Sequence, residues 1–143
     1  MYVRFLKVTP KIAIEALRDC IVDGSNLRRS LIDEYHSNGA KRNGEMLGDW
    51  RDRVDKWYEG SLNKLSKIYS SPVEPIMFQD HRAVYFHINM AQDFGNSIVK
   101  LEGKIQVLQE LYRFILDNSN IRINAKGDVI FQIGDKNVAN KNE

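Results

Sequence analysis

The stretch VYFHINMAQDFGNSIVKLEGKIQVLQELYRFI, residues 84–115, decides the fold. Val84, His87, Ala91, Phe94, Ile98, Leu101, Ile105, Leu108, Tyr112 and Ile115 recur at a strict alternation of three and four residues. That is the spacing of one face of an amphipathic helix, held long enough to form a coiled-coil-like seam. A helix from about 79 to 116 with this seam would be roughly 55 Å long at 1.5 Å per residue. Ile88, Val99, Val107, Leu111, Phe114 and Leu116 lie off the seam and widen the apolar surface. One side then packs within the chain and another is left for a second copy. Phe94, Ile98, Leu101, Ile105, Leu108, Tyr112 and Ile115 are the expected interface.

Upstream, Ser70-Ser-Pro-Val-Glu-Pro75 ends a second helix over 45–69, because each proline disfavours helix in the residue before it. Leu47, Trp50, Val54, Trp57, Leu62, Leu65 and Ile68 form the apolar face of that helix. Ser37 to Gly44 is a polar, glycine-bearing loop. Before it, Ala13, Leu17, Cys20, Gly24, Leu27, Leu31 and Tyr35 keep helical register from 10 to 36. Thr9 is the expected N-cap and Pro10 the first helical residue. The register passes through Asp23-Gly24-Ser25-Asn26, where a turn would give two shorter helices instead.

Residues 2–8 are rich in β-formers and read as a short strand. Ile121 to Ile133 reads as a β-hairpin turning at Ala125-Lys-Gly-Asp128, and the polar tail over 135–143 frays. The expected fold is therefore mainly α: a long antiparallel three-helix bundle in one domain over 1–134, with a terminal strand and a hairpin. Three traverses leave the strand and the hairpin at opposite ends. Since a lone hairpin is marginal in water, that parity predicts an antiparallel homodimer whose strands pair between subunits. A break at Gly24 would make four traverses and bring the strands together.

The chain has 143 residues, 43% of them apolar, enough for one packed domain without a disulfide or metal staple. Lys and Arg exceed Asp and Glu by two, with balances of eight to five over 1–44, five to six over 45–78 and eight to eight over 79–143. Such an even distribution lacks the basic stripe of a nucleic-acid binder. No apolar run reaches the roughly 20 residues of a membrane span. The first residues are too interrupted for a signal-peptide core, so a cytoplasmic setting is expected. Cys20 is the sole cysteine and lies among Leu17, Ile21 and Val22, as a buried thiol would.

Arg82-Ala-Val-Tyr-Phe-His87 resembles the Arg-x(4–6)-His pattern of the HEPN ribonucleases, helical proteins of about this size with an active site at a dimer interface. Arg29 to His36 fits the same pattern. The resemblance implies that Arg82 stabilises phosphate charge while His87 moves the proton of the 2′-hydroxyl. Ala83 departs from the polar residue that usually follows the arginine. On one regular helix Arg82 and His87 point about 140° apart, so the helix would have to begin after Arg82.

Asp80, His81 and His87 lack the i, i+4 spacing of a helical metal site, so no metal and no cofactor is expected. His36 reads as a solvated helix-end residue. Asp49, Asp52 and Asp55 interleave with Arg51, Arg53 and Lys56 as a salt-laced helix face. Trp50 and Trp57, a heptad apart, read as core or interface anchors. No phosphate-binding glycine loop, serine elbow or dinucleotide fingerprint is present. The sequence thus points to a non-enzymatic interaction or regulatory protein acting as a homo-oligomeric helical scaffold with a protein partner. A small anion held between subunits by Arg28, Arg29, Lys41 or Arg42 is a variant of that reading, and metal-independent RNA cleavage by Arg82 and His87 is the alternative.

Overall fold

The computed structural model describes residues 6–39, 42–81, 90–119, 121–123 and 129–131. The protein is mainly helical, with four helices among these residues. Helix α1 spans Pro10–Ser37, α2 Gly44–Ile68, α3 Val73–Asp80 and α4 Gln92–Asp117. Strands β1 (Ile121–Ile123) and β2 (Val129–Phe131) pair antiparallel, with Ile121 opposite Phe131 and Ile123 opposite Val129. Residues 124–128 between them lie outside the described residues, as does the tail from 132.

Local chemistry fixes the first two helices. The Thr9 hydroxyl accepts from the Ile12 N–H at 3.3 Å, and Pro10 fills the first helical position. There the missing proline N–H would have had no helical partner in any case. The helix then runs unbroken through Gly24 to Ser37. Asn43 caps α2 by accepting from the Met46 N–H at 3.0 Å.

Helix α1 runs antiparallel to both α2 and α4. Its Tyr35 ring meets Trp50 of α2 at 6.2 Å and Phe94 of α4 at 5.4 Å, near the starts of those helices. Ala13, Ile14 and Leu17 share a core cluster with Leu65 and Ile68 of α2 and with Leu108, Leu111 and Ile115 of α4. A second cluster at the far end joins Leu31, Tyr35, Trp50, Val54, Phe94 and Ile98. Because α2 and α4 are parallel, the chain must climb the full length between Tyr69 and Met90. The short α3 makes part of that climb.

The expected continuous helix over 79–116 is thereby corrected. Helix α3 stops at Asp80, His81 is extended (φ −59°, ψ 125°), and α4 starts only at Gln92, after extended Ala91 (φ −56°, ψ 142°). Two distant side chains hold those stops. The Lys104 ammonium donates to the carbonyls of Phe78, Gln79 and His81 at 2.7, 2.9 and 3.1 Å. The Tyr35 hydroxyl accepts from the Ala91 N–H at 2.7 Å. Helix ends need such partners for their orphan carbonyls and amides, and neither partner is visible to a local period. At 26 residues, α4 is about 39 Å long rather than roughly 55 Å.

The segment after α2 is corrected as well, since Val73 to Asp80 is helical. Pro75 stands third in that helix, among the first four residues whose N–H groups have no partner inside the helix, so it costs no hydrogen bond.

The parity argument falls with the three-helix count. Leu6 makes an antiparallel bridge to Tyr69, and the Lys7 N–H donates to the Ile68 carbonyl at 2.7 Å. Leu6 and Val8 pack on the cluster that holds Ile115, and β2 lies against α1. The chain therefore enters α1 and leaves α4 at the same end, inside one subunit. The expected strand over 2–8 falls outside the described residues from 2 to 5.

Candidate functional site

The seven residues expected to form the interface are taken up inside the chain. Leu101, Leu108 and Ile115 are fully buried, Phe94, Ile98 and Ile105 nearly so, and Tyr112 packs half-buried on the first cluster. α1 and α2 occupy the face that the sequence assigns to self-association.

Of the expected anion set, Arg28, Arg29 and Arg42 each have a partner within the chain. Arg28, on α1, pairs with Glu102 of α4. Exposed Arg29 donates to Asn26 of its own helix, at 3.4 Å. Arg42 folds back on the end of α1, with its Nε donating to the Tyr35 carbonyl at 2.9 Å and its guanidinium 3.9 Å above the Tyr35 ring. A cation there suits the negative end of the helix. Lys41 lies outside the described residues, and so do Arg82 and His87.

Other singled-out residues have structural employment. His36 is exposed at the end of α1, edge-on to Tyr35. The His81 carbonyl is one of the three that hold Lys104. Arg53 donates to Glu34 at 2.8 Å and to Asp49 at 3.3 Å, and the Glu34 hydrogen bond, then Asp49, holds its guanidinium above its ordinary pKa against partial burial. Asp55 pairs with Lys100 at 3.4 Å. Cys20 is buried, and burial pushes its thiol up, helped by Asp23 and Asp19 and opposed by Ser61 and Lys64. Trp57 donates its indole N–H to the Cys20 carbonyl at 2.9 Å. Trp50 is fully buried, and its own indole N–H has no partner among the described residues. Among the described residues, no three His, Cys, Asp or Glu side chains stand where they would hold a metal ion.

What remains unusual is α3. Its inward side carries Glu74 and Phe78, both buried, while Val73, Ile76 and Met77 face out at 51%, 48% and 37% exposure. The amphipathic rule is inverted: a carboxylate is buried and three apolar side chains are wet. Phe78 anchors the helix by stacking on Tyr58 at 5.3 Å and meeting Trp57 edge-on at 6.1 Å. Glu74 is 1% exposed, and among the described residues its Oε1 has no hydrogen-bond partner.

Lys104 completes this neighbourhood. Besides its three carbonyls, its ammonium lies 5.2 Å from the Tyr58 ring and 5.6 Å from Phe78. Desolvation by burial, then Lys100, lowers its pKa, while Asp80 acts the other way. With all three N–H donors spent on carbonyls, the amine is a helix-end clamp rather than a nucleophile. Burial, with Glu59 and Asp80 nearby, raises the Tyr58 phenol above its ordinary value.

Sequence reasoning missed Val73, Glu74, Ile76, Met77 and Lys104. A signal was there: Ser71-Pro72 before a Glu-bearing apolar octet is a helix start as well as a helix stop. Among the described residues no helix is long and apolar enough to cross a membrane. Comparison of the chain with protein-family models, with curated proteins and with solved structures gives no match.

Proposed function

We propose that this chain is a non-enzymatic interaction protein that self-associates through the outward face of α3. The observation that carries the reading is the inversion of that helix. Val73, Ile76 and Met77 occupy positions i, i+3 and i+4 on one stripe, the spacing by which a helix anchors to an apolar partner surface. A second copy brings an identical apolar stripe, and a two-fold contact between the two is self-complementary.

Magnitudes set the strength. Fully burying each of these side chains is worth roughly 1.5–3 kcal/mol, and each is already about half covered. With six such side chains in the two-fold contact, a gain of about 5–9 kcal/mol competes with an association cost of about 4–15 kcal/mol. The contact is therefore weak and reversible, of the small, transient class.

Site-directed cross-linking tests it. Met77→Cys should give a covalent dimer under mild oxidation, whereas Val22→Cys, exposed on α1, should not. Equal cross-linking of both variants, or of neither, would count against the α3 face. The ribonuclease reading rests on Arg82 and His87 alone, and chelator-resistant RNA cleavage lost in His87→Ala would establish it in place of the interaction reading.

A further inference from the structure

The chain's sulfur is divided unevenly between core and surface. Cys20, the sole cysteine, is buried, and burial raises its thiol's pKa, so little of the reactive thiolate forms near neutral pH. Met46 and Met90 are half-buried and pack on the second core cluster. Met1 lies outside the described residues. Met77 is exposed in the second turn of α3, on the same stripe as Val73 and Ile76. The most accessible of the described sulfurs thus stands on the apolar face that α3 turns to solvent.

We propose that Met77 is a reversible oxidation switch: hydrogen peroxide converts its thioether to the sulfoxide, and the sulfoxide separates two copies joined through α3. The proposal rests on that self-association. In the step, a lone pair of Sδ attacks one peroxide oxygen and the O–O bond breaks. The sulfur is oxidised by two electrons, and the other oxygen takes the remaining protons and leaves as water. Weak, reversible association keeps free monomer present, so peroxide reaches the sulfur from solvent. The product puts a polar S=O acceptor where an adaptable apolar group stood. Across the two-fold contact lie the same three apolar side chains of the second copy, and none of them has a donor to offer. A two-fold contact also holds two copies of Met77, so the penalty enters twice. Enzymatic reduction of each sulfoxide epimer restores the thioether.

Sedimentation equilibrium of the full chain tests the proposal in three states: untreated, treated with dilute hydrogen peroxide, and treated then reduced by methionine sulfoxide reductases A and B. Peptide mass spectrometry places the added oxygen. Oxidation at Met77 should raise the dimer Kd by roughly tenfold for each buried sulfoxide, about 100-fold for the pair. Reduction should restore the untreated value. Met77→Leu keeps an apolar side chain of similar size at this surface position, and it should dimerise alike before and after peroxide. An untreated chain that stays monomeric would overturn the α3 contact and the switch with it. An untreated dimer whose Kd does not change once Met77 carries the sulfoxide would overturn the switch alone. Equal loss of dimer in Met77→Leu, or peroxide that converts Met46 and Met90 while sparing Met77, would overturn it too.

Discussion

Gly24 shows how one residue can serve packing against its own propensity. Glycine in mid-helix costs about 1 kcal/mol relative to alanine. A Cβ at Gly24 would lie 2.6 and 2.8 Å from ring carbons of Trp57 and 3.0 Å from Ile105. The Trp57 ring cannot retreat, because its N–H is bonded to the Cys20 carbonyl. Gly24→Ala should therefore destabilise by about 1–3 kcal/mol despite the propensity gain. Gly60→Ala, with open space around its Cβ on α2, should stabilise by about 0.5–1 kcal/mol. Urea unfolding of the two variants checks both signs. From the sequence, the apolar register through Gly24 revealed the continuous helix; the reason for glycine lies on α2 and was not legible.

Cys20 carries a pH prediction at the same scale. Its folded pKa is raised above the ordinary value of 9.0. The thiol's contribution to stability is thus complete below about 9 and is lost as pH rises through the raised value. Tyr58, also raised, acts in the same direction, while Lys104, lowered, acts in the opposite one. Comparing urea midpoints of the wild type and Cys20→Ala at pH 8 and pH 10.5 isolates the thiol. The wild type should lose more stability over that interval than the variant. Equal losses would mean that the thiol titrates alike folded and unfolded.

At the scale of elements, helices α1 and α2 were readable because their signals are local: Thr9 and Pro10 at one start, an apolar period of 3.6, and a polar loop between. Asn43 is a local cap of the same kind. The interruption between α3 and α4 was not readable, because its agents are Lys104 and Tyr35, more than twenty and fifty residues away. Apolar residues can keep a period of three and four across a break when tertiary partners satisfy the broken backbone. Lys104→Met keeps the stem and removes the clamp, so the carbonyls of Phe78, Gln79 and His81 lose their donor. It should destabilise the protein by about 2 kcal/mol and speed amide exchange in α3 ahead of α1. Glu74→Met should stabilise by about 1–3 kcal/mol, since it removes a buried carboxylate oxygen that lacks a partner among the described residues.

Across the whole molecule, topology redirects the functional argument. Three traverses would have separated the chain's two ends and made strand pairing a reason to dimerise. The return through α3 puts the start of α1 and the end of α4 together, and α1 and α2 cover the long apolar seam of α4. The apolar content that seemed in excess over a self-sufficient core is mostly used within one chain; of the five large apolar side chains exposed among the described residues, three cluster on the eight residues of α3. Composition and period revealed the helical class; which apolar face stays wet depends on a crossover that no local signal encodes. The partners of Arg28 and Arg42 were hidden for a related reason, since these side chains meet Glu102 and Tyr35 only through the folded packing.

Sedimentation equilibrium of the full chain between 10 and 500 µM, wild type against Ile76→Glu, tests the α3 face most directly. The account predicts a reversible monomer–dimer equilibrium for the wild type and a monomer for the variant, with the same melting temperature at dilution because Ile76 is outside the core. A wild type that stays monomeric throughout, or a variant that dimerises equally well, would contradict it.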